Sequence, residues 1–191
     1  GLDEEKAKEI KTIDEAMTLV ISEMQTHFDK NKKQILVTHF AVSPHKEEIN
    51  LTSETTSKVG GLATLNVIQF EAFDYVALGH IHTRFASPSE KVQYSGSPVK
   101  FNTKEAKTQK GVFIVETQQD SVSSEFIPLQ IQTDLVVIEE EWDTLISREF
   151  YENQPIHQAW FAITIKNFDR AKLAGQNLRA QLQKVYGTVV E

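Results

Sequence analysis

Six histidines occur in the 191 residues, and two of them stand in one short stretch, FDYVALGHIHTRF, residues 73–85. His80 and His82 follow Gly79 at the end of an apolar run, and His39 follows a second such run, QILVT, at 34–38. Imidazole titrates near neutral pH and is the commonest protein nitrogen ligand for metals. In open α/β sheets, ligands bind outside the carboxyl ends of the strands, where these histidines fall. Gly79 would let the backbone bend and approach closely. In H-x-H on extended backbone both rings point to one side, so His80 and His82 could reach the same metal or two neighbouring ones. A lone histidine after a strand is more often a hydrogen-bonded structural residue. Two histidine-bearing strand ends together favour function, and His39, His80 and His82 are the candidate ligands.

The ligand set is incomplete. Two metals about 4 Å apart usually need bridging carboxylates as well as histidines. No D-x-H, G-D or G-N-H motif occurs in the chain. Asp74 precedes the second strand and so lies at its wrong end. Glu47, Glu48 and Glu54 fall in a polar loop that could approach the site. His27 sits on a helix and His45 and His157 lie in polar loops, and none has a partner pattern. The residues alone therefore reach half of a metal site, and no catalytic acid or base is identified.

The elements that must position these groups follow from local pattern. Residues 12–30 predict a helix, opened by the capping box of Thr12 and Glu15. Ile13, Met17, Val20, Ile21, Met24 and Phe28 recur on one face. Buried strands are expected at 34–38 and 74–78, with a long loop over 41–61 and a short helix at 63–71. A strand at 91–94 leads into the turn signal YSGSP, within a loop-rich stretch over 86–110. Residues 111–116 and 121–128 read as a hairpin around Gln118–Asp120. Strands are expected at 134–139 and 159–166, then a helix from Asp169 to about Val185, and a strand from Thr188. This strand–helix–strand unit reads as a small second domain.

Composition sets broad limits. The chain is 40% hydrophobic and 25% charged, with a net charge of -7 and no cysteine. Disulfides and thiolate metal sites are excluded. Bulk charge disfavours nonspecific nucleic-acid binding, unless bound cations supply the positive charge locally. No apolar run approaches a membrane span, and the polar, acidic start is no signal peptide, so a cytoplasmic protein is expected. Gly1 and the loop-like opening suggest a fragment of a longer chain.

The motifs resemble the calcineurin-like metallophosphoesterases, and within them the nuclease subunits of the SbcCD type. ILVTHF at 35–40, FDYVALGHIH at 73–82, VQYSGSP at 92–98 and KGVFIVE at 110–116 carry the resemblance in order and spacing. The segment SETTSKVGG at 53–61 also fits that family's insertion before its G-H-x-H strand. The resemblance implies an α/β fold: the second half of a metallophosphoesterase β-sandwich flanked by helices over 1–133, plus a small α+β capping domain over 134–191. It implies that His39 and His80 ligate one metal and His82 the other. The metals would be manganese, with magnesium a poorer substitute, serving two-metal hydrolysis of DNA phosphodiesters. It further implies an SbcC-type ATPase partner, DNA as substrate and a homodimer, in DNA repair and recombination. The family's first-half motifs D-x-H, G-D and G-N-H-D, which include its acid histidine, are not in this sequence. Two other readings stand beside this one. The first is a different phosphoesterase acting on a small phosphate ester. The second is a non-catalytic module that binds DNA or a partner.

Overall fold

The computed structural model describes residues 10–43, 64–167, 171 and 175–190. It is mixed α/β, with several small sheets and few helices. The chain divides into two compact units, residues 1–98 with 111–129 and residues 99–110 with 130–191. The segment holding His45, Glu47, Glu48 and Glu54, and the SETTSKVGG stretch with it, lies outside the described residues.

The first unit opens with helix α1, Ile13–Gln25. Its expected capping box is present: Glu15 N–H donates to Thr12 Oγ1 at 3.2 Å, and the Glu15 carboxylate accepts from Thr12 N–H at 3.2 Å. These bonds satisfy backbone donors that a helix start leaves open. The helix ends at Gln25, short of the expected Lys30, where Thr26 N–H turns back to Glu23 and Met24. Ile21 is buried, and Ile13, Met17, Met24 and Phe28 pack on the same core. Val20 faces outward instead, at 44% exposure.

Strands β1 (Ile35–Thr38), β4 (Tyr75–Leu78) and β5 (Val92–Tyr94) form a parallel sheet in the order β1-β4-β5. Leu36, Val76, Leu78, Val92 and Tyr94 turn into the core with Phe70 and Phe73. The expectation of a fully buried β1 is corrected. Among the described residues it lies at the edge of the sheet, and Val37 is 79% exposed. The loop expected over 41–61 is also corrected at its start: Ala41–Ser43 is strand β2, paired in parallel with β3, Thr64–Asn66. The helix expected at 63–71 becomes β3 plus one 3-10 turn, Val67–Phe70, capped by the Asn66 side chain. Ala41, Val42 and Leu65 are buried, so packing of this short pair overrides local turn preference.

The expected hairpin is β6 (Gly111–Thr117) with β7 (Val122–Pro128), antiparallel from Gly111 opposite Pro128 to Thr117 opposite Val122. It is tied to the parallel sheet at Gln93, whose Oε1 accepts from Ser124 Oγ at 2.7 Å and Tyr75 OH at 2.9 Å.

In the second unit, β8 (Asp134–Glu141), β9 (Ala159–Lys166) and β10 (Thr188–Val189) form another parallel sheet, ordered β10-β9-β8. The short helices α2 (Trp142–Leu145) and α3 (Arg148–Tyr151) join β8 to β9. Helix α4, Leu178–Tyr186, returns from β9 to β10 and buries Leu182 and Tyr186 against Phe161, Leu145 and Val189. Its cap is Asn177, whose side chain accepts from Ala180 N–H at 3.0 Å. Asp169, the expected cap, lies outside the described residues. The stretch over 99–110, expected as loop, carries a 3-10 turn at Thr103–Glu105 and a buried ion pair between Glu105 and Lys110.

Candidate metal centre

Register gathers the site. Thr38 pairs with Leu78 and Leu78 with Tyr94, so the three parallel strands end side by side. The segments that follow, bearing His39, Gly79 to His82, and Ser95 to Ser97, therefore leave the sheet at one edge. The His39 and His80 rings meet there edge to face, with centroids 5.2 Å apart and planes at 68°. Gly79 makes this possible: its N–H donates to Thr38 O at 2.9 Å, and a Cβ on it would lie 2.5 Å from His39 Nδ1.

The extended H-x-H geometry expected from sequence is corrected. Strand β4 stops at Leu78, and His80 has φ +84°, in left-handed backbone. The histidines are brought together by a bend, not by strand alternation. Left-handed backbone costs a non-glycine residue about 1–2 kcal/mol, and it persists only where its surroundings fix it. One fixture is Ile81, 2% exposed, which plugs the core between the two histidines.

The YSGSP segment supplies the next fixture. Gly96 has φ +82°, and a Cβ there would lie 2.8 Å from His82 O. Ser97 N–H donates to that same oxygen at 3.3 Å. The turn thus clamps the His82 backbone, and it requires glycine both for conformation and for space.

Tyr94 holds the other side. Its hydroxyl donates to Phe40 O at 2.9 Å and accepts from Val42 N–H at 2.7 Å. Burial pushes its pKa up to about 12, so it remains a neutral hydroxyl and fixes the chain next to His39. Sequence reasoning missed this residue. Its only local signal was an aromatic at a strand end, while its partners lie 52 and 54 positions away.

Burial, and then the neighbouring His39 and His82, lower the pKa of His80. Its ring is thereby kept neutral, the form that ligates metal. The donor set fits part of a metal shell: imidazole nitrogens gathered on preformed backbone. Among the described residues, however, no group of three or more His, Cys, Asp or Glu side chains is arranged to hold a metal ion. The structure joins His39 to His80 and places His82 within electrostatic reach. Asp74 lies at the opposite end of the sheet, as its position in the sequence required. His27 is exposed beside Glu23, and His157 belongs to the second unit, in a turn with φ +61°.

No family model matches the chain. Curated proteins do, among them two named as the D component of the SbcCD nuclease. The one from Staphylococcus epidermidis is 30% identical over 142 residues, and the one from Staphylococcus saprophyticus is 33% identical over 142 residues. The chain is a relative of the SbcD-type nuclease subunits. Each match covers 74% of this chain and 37% of the relative, so the chain spans well under half the length of these SbcD proteins. The family resemblance read from the histidine motifs is borne out. No helix among the described residues is long and apolar enough to cross a membrane.

Proposed function

We propose that this chain is part of the nuclease subunit of an SbcCD-type, ATP-dependent double-strand DNA exonuclease and endonuclease. In this reading it contributes the histidine half of a two-metal hydrolytic site. The observation that carries the reading is the convergence of His39, His80 and His82 at one sheet edge, in a relative of the SbcD-type subunits. Residues 1–133 would be the second half of a metallophosphoesterase β-sandwich, and residues 134–191 the beginning of a capping domain. His39 and His80 would hold one metal and His82 the other, with manganese preferred and magnesium a poorer substitute. When bound, the ions would supply Lewis acidity and neutralise charge on a DNA phosphodiester. They would also offset the repulsion between that phosphate and a chain of net charge -7.

The protein's own part is positioning. Gly79 admits the His39 ring, Ile81 pins the bend, and Gly96 with Ser97 holds His82. DNA, an SbcC-type ATPase and a second copy of the protein would be its partners, in the cytoplasm.

The test is manganese-dependent cleavage of linear duplex DNA by the full-length protein. His80→Ala and His82→Ala should each lower the rate at least about 100-fold while the melting temperature stays near that of the parent. Wild-type cleavage by either variant would overturn the ligand assignment.

A further inference from the structure

Immediately past the histidines, the chain makes a 3-10 turn at Arg84–Ala86, and Phe85 stands out from it at 69% exposure. A single exposed apolar side chain is ordinary. Phe85 differs in how firmly it is presented. Its N–H is capped by Thr83 Oγ1 at 3.3 Å, and Ala86 N–H and Ser87 N–H close the turn on Thr83 O and Arg84 O. Ser87 Oγ then accepts from Tyr94 N–H at 2.9 Å, which fastens the turn to β5.

Behind the ring lies a stack. The Arg84 guanidinium carbon is 4.4 Å from the Phe85 ring centroid and 4.3 Å from that of Phe126. Phe126 in turn meets Phe113 edge to face at 5.4 Å. Gly111 makes room for this, since a Cβ there would collide with the Phe126 ring. Arg84 Nε is buried and has no hydrogen-bond acceptor among the described residues, so aromatic faces, not carboxylates, hold the cation. Such a stack presents a rigid, exposed aromatic on a positively charged base, three residues beyond a candidate metal ligand.

We infer that Arg84 and Phe85 form a nucleobase-stacking subsite, in which Phe85 takes an unpaired base of a DNA end and Arg84 positions the ring. The inference rests on the proposed nuclease reading and names how an opened strand end is held beside the histidines. A flat π-face is what stacked bases recognise without regard to sequence. Exposure of an aromatic on a cation suits a stacking ligand better than an apolar protein groove, which would bury the ring among aliphatic neighbours.

The experiment uses the full-length protein and two labelled duplexes, each with a four-nucleotide single-stranded tail. One tail carries thymines, and the other carries abasic sites with the same phosphates. Wild type should bind the base-bearing tail about 5- to 100-fold more tightly. In Phe85→Ala that ratio should fall to near 1, and Phe85→Trp should restore it. A wild type that binds both tails equally, or a Phe85→Ala variant that keeps the preference, overturns the subsite and leaves the nuclease reading standing. The subsite is likewise overturned if Phe85→Ala instead releases a bound protein. A wild type that binds neither duplex brings down both.

Discussion

The two ends of the β1-β4-β5 sheet both carry polar groups and use them differently. At the amino end, Asp74 accepts from Gln34 N–H at 2.7 Å and from Lys33 Nζ at 3.3 Å. The Gln34 N–H chiefly, with Lys33 assisting against the opposing effect of burial, holds the Asp74 carboxyl below its usual range. That charge is consumed in joining the starts of β1 and β4. At the carboxyl end, His80 sits in left-handed backbone, and its pKa falls because burial and two other imidazoles oppose its charged form. One end converts polar groups into stability. The other spends conformational strain to hold polar groups together, which is what a site requires and a structural join does not.

The contrast predicts different costs at the two ends. Gly96→Val attacks the carboxyl end most directly, through a strained φ and a collision with His82 O. It should cost about 2–4 kcal/mol, measured by urea unfolding. A loss below about 1 kcal/mol would mean that the clamp on His82 is loose. Tyr94→Phe should cost about 1–3 kcal/mol, because it leaves the Val42 N–H inside the core without its acceptor.

At the amino end, Asp74→Asn should cost about 1 kcal/mol at neutral pH. Its folded pKa is depressed, so the stabilisation is present above the unfolded value near pH 4 and is lost as pH falls through the folded one. Parent and variant stabilities should therefore converge in acid. A constant difference down to the folded pKa would show that Asp74 acts through shape instead of charge. Val37→Thr, on the exposed edge of β1, should change stability by no more than about 0.5 kcal/mol.

What could be read from sequence was local. The capping box of Thr12 and Glu15 and the hairpin around Gln118–Asp120 rest on neighbours a few positions apart, and both form as expected. So does the placement of His39 and His80 at adjacent strand ends, because apolar runs that close in histidine declare themselves. The failures were of three kinds. Pairing of β2 with β3 depends on burial of Val42 and Leu65, which no window of polar residues announces. The Tyr94 bridge to Phe40 and Val42, and the stack of Arg84 on Phe126, join residues more than forty positions apart. The bend at His80 was missed because H-x-H after a strand reads as more strand. Only the tertiary fixtures at Ile81 and Gly96 hold it in the left-handed region.

If His39, His80 and His82 share a metal centre, an ion bound there lies close to all three rings. Histidine ring resonances recorded during titration with manganese test this without any need for activity, since the paramagnetic ion broadens nuclei close to it. Loss of the His39, His80 and His82 signals at low manganese, with His27 and His157 still sharp, is the expected result. Equal broadening of all five, or none at the first three, would contradict a shared centre.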